Sequence, residues 1–372
     1  MARTDTIDSA ADRTGLSPAA CLSLLAIVVL GTRFVQGFIF WGGASRRLFY
    51  DFHEIAGVDH AVKLDFNAAG FVANKLTHAL PGTLWIQAPL EWTLQHPGLI
   101  VASVWLWTFA ELAVGLGLIF GLATRLAALA SIGLNISLML IFGWMGSTCL
   151  DEWTMAVSGV AMSSAVFLAG GGRWSLDAWL IDRTGWAQRR AWTPWIFSGP
   201  VSSASIRRLG LLLAAVAAVF TVGTYNILFG AVVSPLHPRV NFHRYTVEMA
   251  DVQVAVDGSV QFGAYVSSGP DTAAAYIVSA KLVDSAGAAK AAWDGAALAG
   301  LADTAIVNVY PYVWASGFRT EKVGFSGTTG ARATITLPSP APLAIDDAAR
   351  YELILEAIDG TTWSAPATRT GG

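Results

Sequence analysis

Five long apolar stretches constrain this chain more than any other feature. They run approximately Ala19–Trp41, Pro97–Phe120, Leu126–Trp144, Trp153–Ala169 and Leu209–Phe229. A helix needs roughly 20 such residues to cross a hydrocarbon core about 30 Å thick, so each reads as a transmembrane span and the lipid bilayer as a partner. With 54% hydrophobic and 13% charged residues, the chain fits neither a disordered protein nor an ordinary soluble enzyme, where about a quarter of residues are charged. A net charge of −3 carries no basic excess, which excludes nucleic acid as the expected partner. The first stretch is no cleaved signal peptide, being too long, holding Arg33 and Gln36, and ending without a clear small-residue cleavage site.

Basic residues orient the spans, because they stay on the cytoplasmic side. Arg173, Arg183, Arg189, Arg190, Arg207 and Arg208 crowd the segment between spans four and five, and Arg125 lies between spans two and three. The turn GSTCLDE at 146–152 has no positive charge and reads as outside. The N-terminus is then cytoplasmic and everything after span five extracytoplasmic. Against that rule, the long first outer loop, 42–96, carries Arg46, Arg47, Lys63 and Lys75. Within it, Phe71, Leu76, Ala79 and Leu80 recur at helical spacing before Pro81-Gly82, which predicts an interfacial helix on the outer leaflet.

Beyond Ser234 the pattern changes to alternation. Val252, Val254 and Val256, then Val260, Phe262 and Ala264, flank Asp257-Gly258. A three-residue hairpin loop or a bulge would set Val254 opposite Phe262. Further strands are expected around 276–283, 306–313, 320–325, 331–337 and 351–358. About seven short strands parted by turn residues predict a β-sandwich. Its aromatic stretch VYPYVWASGFRTEKVGF is expected to fill the core or to dock on the membrane part.

Several residues could carry chemistry. Arg33 in span one and Glu111 near the middle of span two are charges that cost at least ~2.5–3.5 kcal/mol at that depth unless paired or facing a polar cavity. A mutual ion pair would tie the bundle together. Alternatively Arg33, Glu111 and Trp107 flank a quinone pocket, supplying a hydrogen-bond donor, a proton source and a flat wall. Arg46 and Arg47 in WGGASRR, with Lys75 and His78 from the interfacial segment, would bind an oxyanion or lipid phosphates. Cys149 is either a redox thiol or a packed small residue. Asp151 and Glu152 beside it would raise its pKa unless an arginine approaches. Cys21 lies at the inner end of span one, about 30 Å away across the membrane core, so no disulfide joins the two. His53 and His60 with Asp51, Glu54 and Asp59 fit no strong metal template. No metal, haem or flavin motif is recognised, and neither a P-loop nor a dinucleotide fingerprint.

The stretch from about Gly31 to Trp179, through FWGGASRR and GSTCLDEWTMAVSG, resembles DoxD, the membrane subunit of thiosulfate:quinone oxidoreductase. The segment from about Ser234 onward resembles its partner DoxA, so the chain looks like a DoxD–DoxA fusion. The expected architecture is an α-helical membrane bundle, a four-helix DoxD-like unit plus a fifth transmembrane helix, followed by an extracytoplasmic all-β sandwich. Its parts would be a cytoplasmic tail (1–18), the four-helix domain (19–180), a basic linker (181–208), the fifth helix (209–230) and the sandwich (235–372), in a cytoplasmic (inner) membrane with the sandwich in the periplasm. The resemblance implies oxidation of two thiosulfate ions to tetrathionate with electrons passed to membrane quinone. Catalysis would involve Cys149 and Glu111, thiosulfate would sit at Arg46, Arg47, Lys75 and His78, and quinone would meet Arg33, Glu111 and Trp107. Two dianions repel, so a basic outer site suits the task. Homo-oligomerisation is compatible with this arrangement. The alternatives are an anion transporter and a scaffold that recruits another oxidoreductase.

Overall fold

A computed structural model describes residues 18–55, 58–68, 70–142, 150–185, 190–199, 201–227, 244–270, 273–311, 317–340 and 350–369. The chain divides into two compact units. The first comprises 1–52, 105–139 and 151–238, and the second 53–104, 140–150 and 239–372.

Helices dominate the first unit. They are α1 (Pro18–Val28), α2 (Leu30–Ser45), most of α5 (Pro97–Phe120) and α6 (Thr124–Phe142), α7 (Leu150–Ala169), α8 (Leu176–Thr184), α9 (Thr193–Ile196) and α10 (Ser203–Ile227). Among the described residues three helices are long and apolar enough to cross a membrane: Pro97–Phe120, Thr124–Phe142 and Ser203–Gly223. The chain is thus a helical membrane protein followed by a separate β domain.

Trp153–Ala169 lies within the 20-residue helix α7. Another of the expected spans comes out differently. The first stretch breaks at Val29, whose ψ of 3° departs from the helical value. The backbone bonds from Val29 N to Leu25 O and from Arg33 N to Val29 O still continue the ladder across the break. The segment expected as a simple basic linker folds into α9 and the start of α10, which takes in Arg207 and Arg208.

Close approach in this unit relies on glycine. A Cβ on Gly115 would stand 2.7 Å from Trp41 N, and one on Gly37 would stand 3.0 Å from Ile119 N. Those two positions let α2 and α5 touch backbone to backbone, as helices in lipid do with small residues. Phe40, Val114, Leu118, Ala127, Ala128 and Val166 form the apolar core. Beside it runs a polar seam, in which Gln36 Nε2 donates to Ser131 Oγ (3.1 Å) and Ser131 Oγ meets Ser163 Oγ at 2.7 Å.

The second unit holds the short strands β1 (Phe52–Ile55) and β2 (Val58–Ala61), α3 (Val72–Ala79), α4 (Gln87–Leu94) and the β domain. Among the described residues that domain has ten strands rather than about seven. These are β3 (Thr246–Val254), β4 (Val260–Ser268), β5 (Ala275–Asp284), β6 (Ala289–Trp293), β7 (Ile306–Asn308), β8 (Phe318–Thr320), β9 (Phe325–Gly327), β10 (Arg332–Leu337), β11 (Tyr351–Ala357) and β12 (Thr362–Arg369). They follow the order β7-β10-β4-β3-β12-β11-β5-β9-β8, with β6 beside β5. β12 joins the two halves, antiparallel to β11 and parallel to β3 through Thr368 and Arg369. The ends of this path meet through one side chain. Asn308 Nδ2 donates to Phe318 O at 2.9 Å, and Phe318 N donates to Asn308 Oδ1 at 2.7 Å. An amide mimicking a backbone pair thus brings β7 to β8 and makes the sandwich nearly a barrel.

The first hairpin shows how the register is set. Val254 faces Val260, not Phe262. The loop has three residues but begins one earlier than expected, with Ala255 N bonded to Ser259 O and Gly258 at φ +84°. Val256 therefore sits in the turn, 60% exposed. A bulge at Asp251 (φ +50°) restores alternation upstream. Of the aromatic stretch, Phe318 and Phe325 fill the barrel core, and 312–316 lie outside the described residues.

Candidate functional site

Among the described residues Glu111 is a buried acidic group in an apolar helix. It lies in α5, 5% exposed, and both of its oxygens are taken. Trp107 Nε1, one turn earlier, donates to Oε1 at 2.7 Å, and Arg47 Nη1 donates to Oε2 at 2.5 Å. Arg47 reaches it because the chain leaves α2 through a π-helical turn, Arg46–Tyr50, closed by Asp51 N donating to Arg46 O. The wider turn swings successive side chains apart. Arg47 turns inward, and Arg46 turns outward with its side chain 62% exposed, 3.5 Å from Asp51. Space for the carboxylate depends on Gly43, where a Cβ would stand 2.8 Å from Oε2. On the same helix Trp105 and Phe109 stack at 5.7 Å and, with Leu106, are exposed. The result is a buried acid held by two donors, on a helix whose other side exposes Trp105, Leu106 and Phe109.

Arg33 does not join it. Its Nη1 donates to Gly171 O and its Nη2 to Trp174 O, both at 2.8 Å. Of the two alternatives, the Arg33–Glu111 ion pair is replaced by Arg47–Glu111. Helix length explains the correction. Arg33 and Arg47 are fourteen residues apart in the sequence, about 21 Å along a helix at 1.5 Å per residue, so only one can face Glu111. Near Arg33, Asp177 at the start of α8 is fully buried and accepts five hydrogen bonds. The donors are Ala123 N, Thr124 N, Thr124 Oγ1, Ser198 N and Ser198 Oγ. Arg125 ties the same region through Phe167 O, Pro194 O and Gly199 O. This region is a structural clasp whose signals, Asp177 after Ser175 and the basic residues around it, read in sequence only as a cytoplasmic segment between spans.

Lys75 and His78 belong to the second unit, whereas Arg46 and Arg47 belong to the first. α3 does not present a single apolar face, as an interfacial helix would. Phe71, Ala73, Thr77, Ala79 and Leu80 are all buried, because the β domain packs on it. A Cβ at Gly330 would stand 2.1 Å from Thr77 O, and His78 Nδ1 lies 3.2 Å from Thr329 O. Lys75 is exposed, with Nζ over the Phe142 ring at 5.3 Å. Cys149 lies outside the described residues. Among the described residues no group of three metal-ligating side chains gathers.

A second polar cluster escaped the sequence reading. Arg332 on β10 faces Tyr265 on β4, which faces Glu248 on β3, in one cross-strand row. The Arg332 guanidinium lies over the Tyr265 ring at 4.4 Å and pairs with Glu91 of α4. Tyr310 follows β7 beside them. Burial pushes the Tyr265 hydroxyl well above the usual phenol range, and burial with the Glu91 charge pushes Tyr310 up to about 12. An unfolded tyrosine titrates near 10. Between about pH 10 and 12 the unfolded chain therefore binds fewer protons than the folded one, and stability falls as pH rises. We expect the melting temperature in detergent to drop above pH 10, and less steeply for Tyr310→Phe. Equal slopes would remove Tyr310 as a source. Period-two alternation marks these positions as outward-facing; only the covering by α4 makes them a cluster.

Comparison with known families accounts for both parts of the chain. Residues 46–201 match the family described as TQO small subunit DoxD, and residues 229–366 match TQO small subunit DoxA.

Proposed function

We propose, taking the chain as a DoxD segment followed in tandem by a DoxA segment, that it oxidises thiosulfate and hands the electrons to membrane quinone. The family descriptions make it an oxidoreductase of the thiosulfate:quinone type; substrate, product and site are our reading. Two thiosulfate ions, one quinone and two protons give one tetrathionate and one quinol. One S–S bond forms, and the two electrons it releases reduce the ring.

The observation that supports this most is Glu111, a buried carboxylate in an apolar helix, held by Arg47 and Trp107. Glu111 would supply a proton to the reduced ring, and Trp107 and Arg47 would hold the carboxylate in place. Arg46 in the first unit and, independently, Lys75 and His78 in the second are proposed to attract thiosulfate, and Cys149 is the candidate relay thiol. We place the N-terminus in the cytoplasm and the β domain outside, in the inner membrane, by the distribution of basic residues.

The test is quinone reduction by the purified chain in detergent, followed optically, with tetrathionate assayed in parallel. One tetrathionate per quinol formed is the expected result. Thiosulfate uptake into proteoliposomes without quinone reduction would instead make the chain a transporter. Full turnover in Cys149→Ser would remove the thiol relay and leave direct addition of sulfur to the quinone.

A further inference from the structure

We infer that Tyr310, Tyr265 and Arg332 form a thiosulfate-binding site on the β domain, which the anion enters by displacing the Glu91 carboxylate. The inference rests on the thiosulfate reading above and adds a site to it that no family match assigns.

Three observations lead there. First, Tyr310 is 4% exposed, yet among the described residues its hydroxyl has no hydrogen-bond partner, and the buried Tyr265 hydroxyl and Arg332 Nε also lack one there. Buried polar atoms are almost always bonded, and each exception needs a cause. Three in one cluster, all able to donate, ask for an acceptor with several oxygens. Second, an oxyanion already occupies part of the place, because the Glu91 carboxylate bonds Arg332. A guanidinium fork that fits a carboxylate also fits a sulfonate group. Third, the site has a route to solvent. The side chains of Arg332 and Glu91 keep 34% and 20% of their exposure, whereas the phenols lie behind them.

The phenols hold their protons throughout the neutral range, so they stay donors to an incoming anion. Stacking on Tyr265 fixes the guanidinium plane. Glu91 and Glu248 set the charge limit. A dianion beside both carboxylates would be repelled, so Glu91 must swing out as the ligand enters, and the exchange keeps Arg332 paired in both states. An apolar or cationic ligand gains nothing from these donors.

Calorimetric titration of the full-length chain in detergent with thiosulfate, at constant ionic strength and without quinone, tests this directly. The parent should bind saturably. Glu91→Gln removes the competing charge and should tighten binding at least tenfold. Tyr310→Phe should weaken it several-fold, and Arg332→Gln should abolish it, each with the parent's elution profile and circular dichroism. Unchanged or weaker binding in Glu91→Gln, or full affinity in both Tyr310→Phe and Arg332→Gln, would overturn the site. Equal affinity for sulfate would overturn thiosulfate as its ligand. Because no quinone is present, failure here is distinguishable from failure of the redox reading, which quinone reduction tests by itself.

Discussion

Replacing Asp177 by alanine is expected to cost the helical unit about 3–5 kcal/mol, the range for removing one partner of a buried charged network. The carboxylate is fully buried and takes all five of its hydrogen bonds from two neighbouring segments, 123–124 and Ser198. Without it, two backbone N–H groups at the start of α6, the Ser198 N–H and two hydroxyls lose their acceptor together. Arg33 and Arg125 also lose the negative charge that acts on both. Their carbonyl partners at Gly171, Trp174, Phe167, Pro194 and Gly199 remain, but carbonyl dipoles replace a full counter-charge poorly. Asp177→Asn should fall between, because an amide keeps one accepting oxygen and turns a donor toward other donors. At roughly 2–4 °C per kcal/mol for a unit of this size, the alanine variant should melt on the order of 10 °C lower in detergent. A shift within about 2 °C would show that the clasp is dispensable.

That clasp also marks the limit of the sequence reading. Apolar length located the helices, since burial in lipid is a property of composition that each stretch carries by itself. Pro97–Phe120 came out with the expected bounds, and alternation after Ser234 located most of the β domain for the same local reason. What stayed hidden depends on partners distant in sequence. Arg33 was assigned to Glu111 because both read as charges near mid-membrane; the π-helical turn after Ser45, which aims Arg47 instead, has no composition signature. The hairpin slipped by one residue because Val256 looks like a strand residue and only the Gly258 conformation settles where the turn begins. Likewise α3 has an apolar periodicity that suits lipid or protein equally, and the β domain at Thr329-Gly330 decides it. The sandwich closes nearly to a barrel through the Asn308 amide, a contact no periodicity announces.

Glu111→Gln is expected to lower thiosulfate-dependent quinone reduction by about 10²–10⁴-fold, the usual contribution of a positioned general acid. Glutamine keeps the shape, and its oxygen can still accept from Trp107 Nε1, so packing against Gly43 survives. What it cannot do is carry a proton to the ring or balance the charge of Arg47, whose side chain is only 17% exposed. Both losses could lower activity, so the variant must be read against Arg47→Gln. If the pair serves mainly to hold the helices, the two variants should lose stability together and retain turnover per folded molecule. If Glu111 delivers the proton, Glu111→Gln should lose turnover with little change in the KM for quinone. Arg47→Gln should then keep more turnover per folded molecule than Glu111→Gln, because the proton donor is still present. Turnover within threefold of the parent in Glu111→Gln would remove the acid and leave Arg47, Trp107 and Glu111 as a structural tie between α2 and α5.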